Sequence, residues 1–149
     1  MKKIFAIALC LLAFATAASA QSRALGIRAG GDAEISYQHD LGGNFAEFDL
    51  GLSGYKNIVV TGVYDFIIAS PDNFNIYVGP GAQVGMYKYA TEGNEEALHL
   101  GVGLGAQLGV EYQFGTIPFN IALDWRPMWD FLGAGASWSS AAISFRYRF

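Results

Sequence analysis

Between Leu98 and Phe114 the chain alternates without a break between two kinds of residue. Leu98, Leu100, Val102, Leu104, Ala106, Leu108, Val110, Tyr112 and Phe114 form one set, and His99, Gly101, Gly103, Gly105, Gln107, Gly109, Glu111 and Gln113 form the other. A strand sends successive side chains to opposite faces, so one face is wholly apolar and the other polar or bare. The run is longer than an ordinary globular strand and long enough to cross a bilayer at a tilt. A chain built around such a strand must either enclose its apolar face in a core or present it to lipid.

The first residues carry Lys2 and Lys3, an apolar stretch from Ile4 to Phe14, and the small-residue site Ala18-Ser19-Ala20. That order predicts a secretory signal over residues 1–20 and a mature domain over 21–149. The apolar stretch is too short for a membrane anchor. Cys10 is the chain's one cysteine and lies inside the predicted signal, so the mature part is expected to hold no disulfide and no thiolate site. Without Lys2 and Lys3, 7 basic residues stand against 13 acidic ones, a formal charge of −6 that argues against a nucleic-acid-binding surface.

Turn signals at 29–31, 40–43, 53–57, 70–73, 91–96, 115–117 and 127–137 divide the mature chain. Seven connections predict eight strands, over 23–29, 32–40, 44–53, 57–69, 74–89, 97–114, 118–128 and 138–149. The first boundary is open, since 23–40 also reads as one long bent strand. Most strands repeat the alternation: Glu47, Asp49 and Gly51 oppose Phe48, Leu50 and Leu52, and Asn120, Ala122, Asp124 and Arg126 oppose Phe119, Ile121, Leu123 and Trp125. Pro80 falls in mid-strand, where it cannot donate to a ladder, and predicts a bulge beside Gly79 and Gly81.

Alternation alone does not say which face is inside. A soluble barrel hides its apolar face, and a membrane barrel turns it to lipid. The polar face of two strands is lined by Gly79, Gly81, Gly85, Gly101, Gly103, Gly105 and Gly109, a poor solvated surface but a fit for the cramped lumen of an eight-stranded barrel. Aromatic residues near the strand ends suggest interfacial girdles: Phe45, Tyr55, Phe66, Phe74, Tyr112, Phe114, Phe119, Trp129, Trp138 and Phe149. The expected fold is an all-β, eight-stranded antiparallel up-and-down transmembrane β-barrel. An even strand count puts both termini at the periplasmic face with the turns at 40–43, 70–73 and 115–117, leaving 29–31, 53–57, 90–96 and 128–137 as outer loops.

The pattern resembles the small eight-stranded outer-membrane barrels of the OmpX/OmpA-barrel type, especially the short forms common in Bacteroidota. The likeness rests on the signal, on Ala46–Leu52 (AEFDLGL), Thr61–Phe66 (TGVYDF), Tyr77–Ala82 (YVGPGA), Ile117–Pro127 (IPFNIALDWRP) and the closing Phe145–Phe149 (FRYRF). It implies an outer-membrane location and contact with membrane lipid and lipopolysaccharide. It also implies that Phe145, Tyr147 and Phe149 form the aromatic C-terminal signal read by the assembly machinery. It says little about activity. A monomer without cofactor is expected.

By parity, Arg28, Glu34, Glu47, Asp49, Asp65, Glu111, Asp124, Arg126, Arg146 and Arg148 should all point into the lumen. Buried charges are costly unless paired, and arginine forks suit carboxylates, so a charge network plugging the barrel is expected. The alternatives are a narrow channel for small solutes and a lipid-modifying enzyme. For the enzyme only His39 and His99 are available; His39 sits at the wrong end, and His99 would need Ser139 or Ser140 as its partner. Gly101–Ala106 weakly matches a dinucleotide fingerprint but lies in unbroken alternation with no helix after it. Glu92, Glu95 and Glu96 form an acidic outer loop, either a solvated tip or a divalent-cation contact to lipopolysaccharide.

Overall fold

The computed structural model describes residues 23–53, 57–90, 96–132 and 135–149. The predicted signal, Tyr55 and most of the acidic loop lie outside the described residues. Ten strand segments follow in order: β1 (Arg23–Ala29), β2 (Ala33–Asp40), β3 (Asn44–Ser53), β4 (Asn57–Ala69), β5 (Phe74–Ala90), β6 (Glu96–Gln113), β7 (Phe119–Trp125), β8 (Met128–Asp130), β9 (Gly135–Ser137) and β10 (Ala141–Arg148). Every pairing is antiparallel, and β1 closes on β10 from Ala24↔Arg148 to Ala29↔Ile143. Arg23 and Phe149 exchange backbone hydrogen bonds of 3.0 and 2.8 Å at the seam.

The ten segments make eight staves. β7 and β8 face β6 in a single register, Leu108↔Trp125 and Gly105↔Met128, so they are one stave interrupted at Arg126-Pro127. Proline has no N–H for the ladder. β9 continues β10 with one extra residue, because Trp125↔Ala141 gives way to Met128↔Ser137. Three hydrogen bonds hold this bulge: the Ser140 hydroxyl donates to the Arg126 carbonyl, Arg126 N–H donates to the Ser140 carbonyl at 3.1 Å, and Trp125 Nε1 donates to the Trp138 carbonyl at 2.7 Å. Two expectations are corrected here. Part of the outer loop expected over 128–137 is a short hairpin that raises the wall, and the last strand resumes its ladder at Ala141 rather than Trp138.

Residues 23–40 form two strands, not one. Gly30 N–H donates to the Asp32 carbonyl at 3.0 Å, and Ala29 pairs with Ala33. The β2–β3 turn is set by its sequence: Asp40 Oδ1 accepts from Gly42 N–H at 2.7 Å, and Gly42 and Gly43 take φ of 82° and 129°. No bulge occurs at Pro80. The β4–β5 register is the same on both sides of it, Val63↔Gly81 and Phe66↔Val78, and the slip falls instead between Ile67 and Ala69. The ladder tolerates the missing donor because Gly79 lets the two backbones close up; a Cβ there would run into the Tyr64 carbonyl.

Burial is inverted relative to a water-soluble protein. Glu47, Asp65, Gln107, Ser144 and Arg146 are fully buried, whereas Ile27, Leu98, Leu104, Leu123 and Trp129 are all more than half exposed. The glycines of β5 and β6 are seats for large luminal side chains. A Cβ at Gly109 would strike the Tyr77 ring, one at Gly85 or Gly101 the Tyr87 ring, and one at Gly105 the Met128 sulfur. Outward aromatics cluster at the base, where Phe74, Tyr112 and Phe114 are neighbours and Phe119 stacks on Phe145 at 5.0 Å. Phe45 is a correction to the girdle: it is 3 % exposed and meets Tyr77 edge-on at 4.9 Å inside the lumen. It shares its face with Glu47 and Asp49, and strand parity decides its direction.

Candidate functional site: a charged plug beneath a vestibule

The middle of the lumen is crossed by side chains from opposite walls. Arg126 follows directly on β7, and Glu47 stands on β3, four staves away. Arg126 Nη2 lies 2.6 Å from Glu47 Oε1 and 2.6 Å from Asp49 Oδ2, while its Nε donates to Gln107 Oε1 at 2.5 Å. Arg146 from β10 reaches the other Glu47 oxygen at 2.8 Å and donates through Nε to Ser36 Oγ at 2.9 Å. Gln107 Nε2 donates to Asp65 Oδ2 at 3.0 Å, which ties β4 to the same cluster. Above these, Arg28 grips Asp124 through Nε (3.0 Å) and Nη2 (2.5 Å) and donates through Nη1 to Glu34 at 2.9 Å. Bidentate charged contacts of this kind fix geometry as well as energy.

Seven of the ten sequence-predicted luminal residues therefore form one ion-paired network: Arg28, Glu34, Glu47, Asp49, Asp124, Arg126 and Arg146. Asp65 joins it through an amide. Glu111 stands apart, lower in the lumen, where Asn75, Gln113 and Asn120 donate amide N–H groups at 3.2, 2.7 and 3.0 Å. Arg148 is half-buried at the base and has no ion-pair partner among the described residues. Gln107, Ser36, Asn120 and Tyr77 are the plug residues that charge-based reasoning missed; each falls on the luminal parity of its strand, and that was their signal.

Below the plug is a small cavity of about 80 Å³, and above it a vestibule of about 400 Å³. Arg28, Glu34 and Arg126 form the vestibule floor, and Thr61, Gln83, Tyr87, Asp130 and Ser139 stand around it. The enzyme alternative needs His99 beside Ser139 or Ser140. His99 instead pairs in register with Tyr87 on β5, while Ser139 and Ser140 line the vestibule beside β10. His39 is hydrogen-bonded to the Tyr37 hydroxyl at 3.1 Å, at the end of the barrel that holds the termini. Among the described residues no group of three or more His, Cys, Asp or Glu could hold a metal ion.

The class these features define is a closed, eight-stranded antiparallel β-barrel with a polar interior and an apolar exterior. The chain matches no protein-family profile and no curated protein. Two solved structures share its fold. Neisserial surface protein A (NspA) is similar over 86 % of this chain and 90 % of its own, at 10 % identity and a TM-score of 0.54. The N-terminal β-barrel domain of Pseudomonas aeruginosa OprF is similar over 87 % of this chain and 96 % of its own, at 13 % identity and a TM-score of 0.53.

Proposed function

We propose that this chain is an integral outer-membrane β-barrel of the OmpX/OmpA-barrel type, a plugged, non-catalytic wall element with a structural or interaction role in the cell envelope. The observation that carries this reading is the Arg126–Glu47 contact at 2.6 Å, made across the full width of the lumen and flanked by Arg146. Eight staves leave an interior that side chains fill, and here they fill it with paired charge. The apolar exterior supports a lipid-facing wall, since a water-facing one would carry its charges outside.

The remaining parts of the reading follow from the same placement. The end with the termini and the short turns faces the periplasm. Phe145, Tyr147 and Phe149, exposed on the outer face of the last stave, serve as the assembly signal. Outer-membrane lipid and lipopolysaccharide surround a monomeric barrel, and the short Bacteroidota forms are its proposed kin. The test is fractionation of the expressed protein followed by planar-bilayer recording. A detergent-extracted, heat-modifiable outer-membrane protein with no steady conductance is expected. A steady conductance would overturn the plug, and recovery in the soluble periplasm would overturn the membrane reading.

A further inference from the structure

The plug holds more negative charge than positive. Arg28, Arg126 and Arg146 share their cluster with Glu34, Glu47, Asp49, Asp65 and Asp124, so the carboxylates outnumber the guanidiniums. The imbalance continues upward. Besides Arg28, Arg126 and Glu34, the charged residues that line the vestibule are Asp32 at the lip and Asp130 on β8. Both guanidiniums at the floor are already engaged, Arg28 by Asp124 and Glu34, and Arg126 by Glu47 and Asp49. The remaining donor, Arg126 Nη1, faces Glu34 at 3.6 Å. A recess with low-dielectric walls and one excess sign of charge concentrates the opposite sign, so the vestibule attracts cations.

Asp130 is the carboxylate that the network does not reach. It is 5 % exposed, its Oδ1 accepts the Leu132 N–H at 2.8 Å, and none of the three guanidiniums pairs with it. A carboxylate buried without a counter-charge is costly. Beside it stands Tyr87. A Cβ at Gly101 would lie 2.5 Å from Asp130 Oδ2 and 2.5 Å from Tyr87 Cε2, so those two atoms are no more than twice that distance apart. The ring lies across Gly85 and Gly101, which have no side chain to lift it off the wall. An aromatic ring next to a carboxylate is the pairing that recognises an organic ammonium, through the ring quadrupole and the opposite charge together. Met128, seated on Gly105, and Val59 give the same cavity an apolar lining. Among the described residues no group of three or more His, Cys, Asp or Glu could hold a metal ion, so these carboxylates suit a diffuse organic cation better than an inorganic one.

The vestibule, about 400 Å³, is within the size range of small-molecule sites. At about 3.3 Å per residue and a tilt of about 40°, Trp129 stands about 25 Å above Phe119, the height of an outer-membrane apolar band, and Asp130 is the next residue up. The site thus lies at the upper margin of that band, and Gly31 and Asp32 border it as exposed residues of the rim. We propose that the vestibule is a binding site for a small organic cation, an alkylammonium held between the Tyr87 ring and the Asp130 carboxylate with its carbon atoms against Met128 and Val59.

The test titrates the whole barrel calorimetrically in an uncharged maltoside detergent, because detergents with ammonium heads would compete for the site. The probes are choline, butylammonium and 3,3-dimethylbutan-1-ol, the uncharged analogue of choline. Saturable binding of at least one of the two cations, and none of the alcohol at the same concentrations, is expected. Asp130→Asn keeps an acceptor for the Leu132 N–H and should weaken cation binding about tenfold. Tyr87→Leu should weaken it about fivefold, and Tyr87→Phe, which keeps the ring, less than about twofold. Mobility of unboiled samples checks that each variant is folded. Phosphocholine separates the two sources of such a cation. Binding tighter than choline assigns the site to a lipid head, and weaker binding assigns it to a free amine, whose lack of phosphate spares it Glu34 and Asp32. Absence of binding by both cations overturns the proposal. So does equal binding of the alcohol, or cation binding that neither Asp130→Asn nor Tyr87→Leu weakens. Every readout is taken in detergent, so it stands or falls apart from the outer-membrane reading.

Discussion

Arg126→Ala is the sharpest test of the plug, because one side chain there restrains three others. The substitution removes the 2.6 Å contacts to Glu47 and Asp49 and the hydrogen bond to Gln107. Glu47 keeps Arg146 at 2.8 Å, but Asp49, 1 % exposed, loses its one guanidinium partner among the described residues. Breaking a buried pair so that one charge stays behind costs about 3–5 kcal/mol, whereas an exposed pair is worth about 0–1 kcal/mol. The expected loss is therefore about 3–5 kcal/mol. Urea titration in lipid vesicles measures it, with the folded fraction read from the mobility of unboiled samples. Adding Asp49→Asn removes the stranded charge and should restore most of the loss, so the double mutant separates charge from packing. A single mutant within about 1 kcal/mol of the parent would refute the buried-network argument. So would a double mutant no more stable than the single one.

Three further outcomes follow from the same geometry. Leu108→Arg, on the outer face of β6 and about 13 Å above its lower end, should cost about 2–4 kcal/mol in a bilayer, while Trp129→Arg near the upper boundary should cost about 0–1 kcal/mol; equal, negligible costs in the vesicle titration would fit a water-facing wall instead. Gly79→Ala drives a Cβ into the Tyr64 carbonyl and should cost about 1–3 kcal/mol, against less than about 0.5 kcal/mol for Gly31→Ala, where the space is open. Phe45→Ala should cost about 3–5 kcal/mol because its ring packs on Tyr77 in the lumen, and Phe48→Ala, half exposed on the outer face, far less; the same titration ranks the pair, and the reverse order would place the wrong face inside.

How much of this is legible in the chain depends on the range of the interaction concerned. Parity is local, so it assigns each charge of the ion-paired network to its face from strand neighbours alone. It even places Phe45, whose aromatic character pointed to a girdle while its neighbours Glu47 and Asp49 pointed inward. Pro80 is a local reading that fails for a local reason: the missing donor is absorbed where Gly79 lets β4 and β5 approach, so no residue has to be inserted. Pairing is not local. Arg126 meets Glu47, 79 positions away, because the accumulated registers of four strand pairs bring those two heights together. A slip of one residue at any of those turns would move every side chain beyond it to the other face. The charge pairs and the register thus constrain one another. The unequal height of the wall is the most distant property of all, since a seven-residue β1 is ordinary as a strand. It shows only when closure sets β1 beside the taller stave that β9 extends. The plug follows from alternation plus the cost of unpaired charge, while the vestibule above it follows from unequal stave lengths around a closed ring.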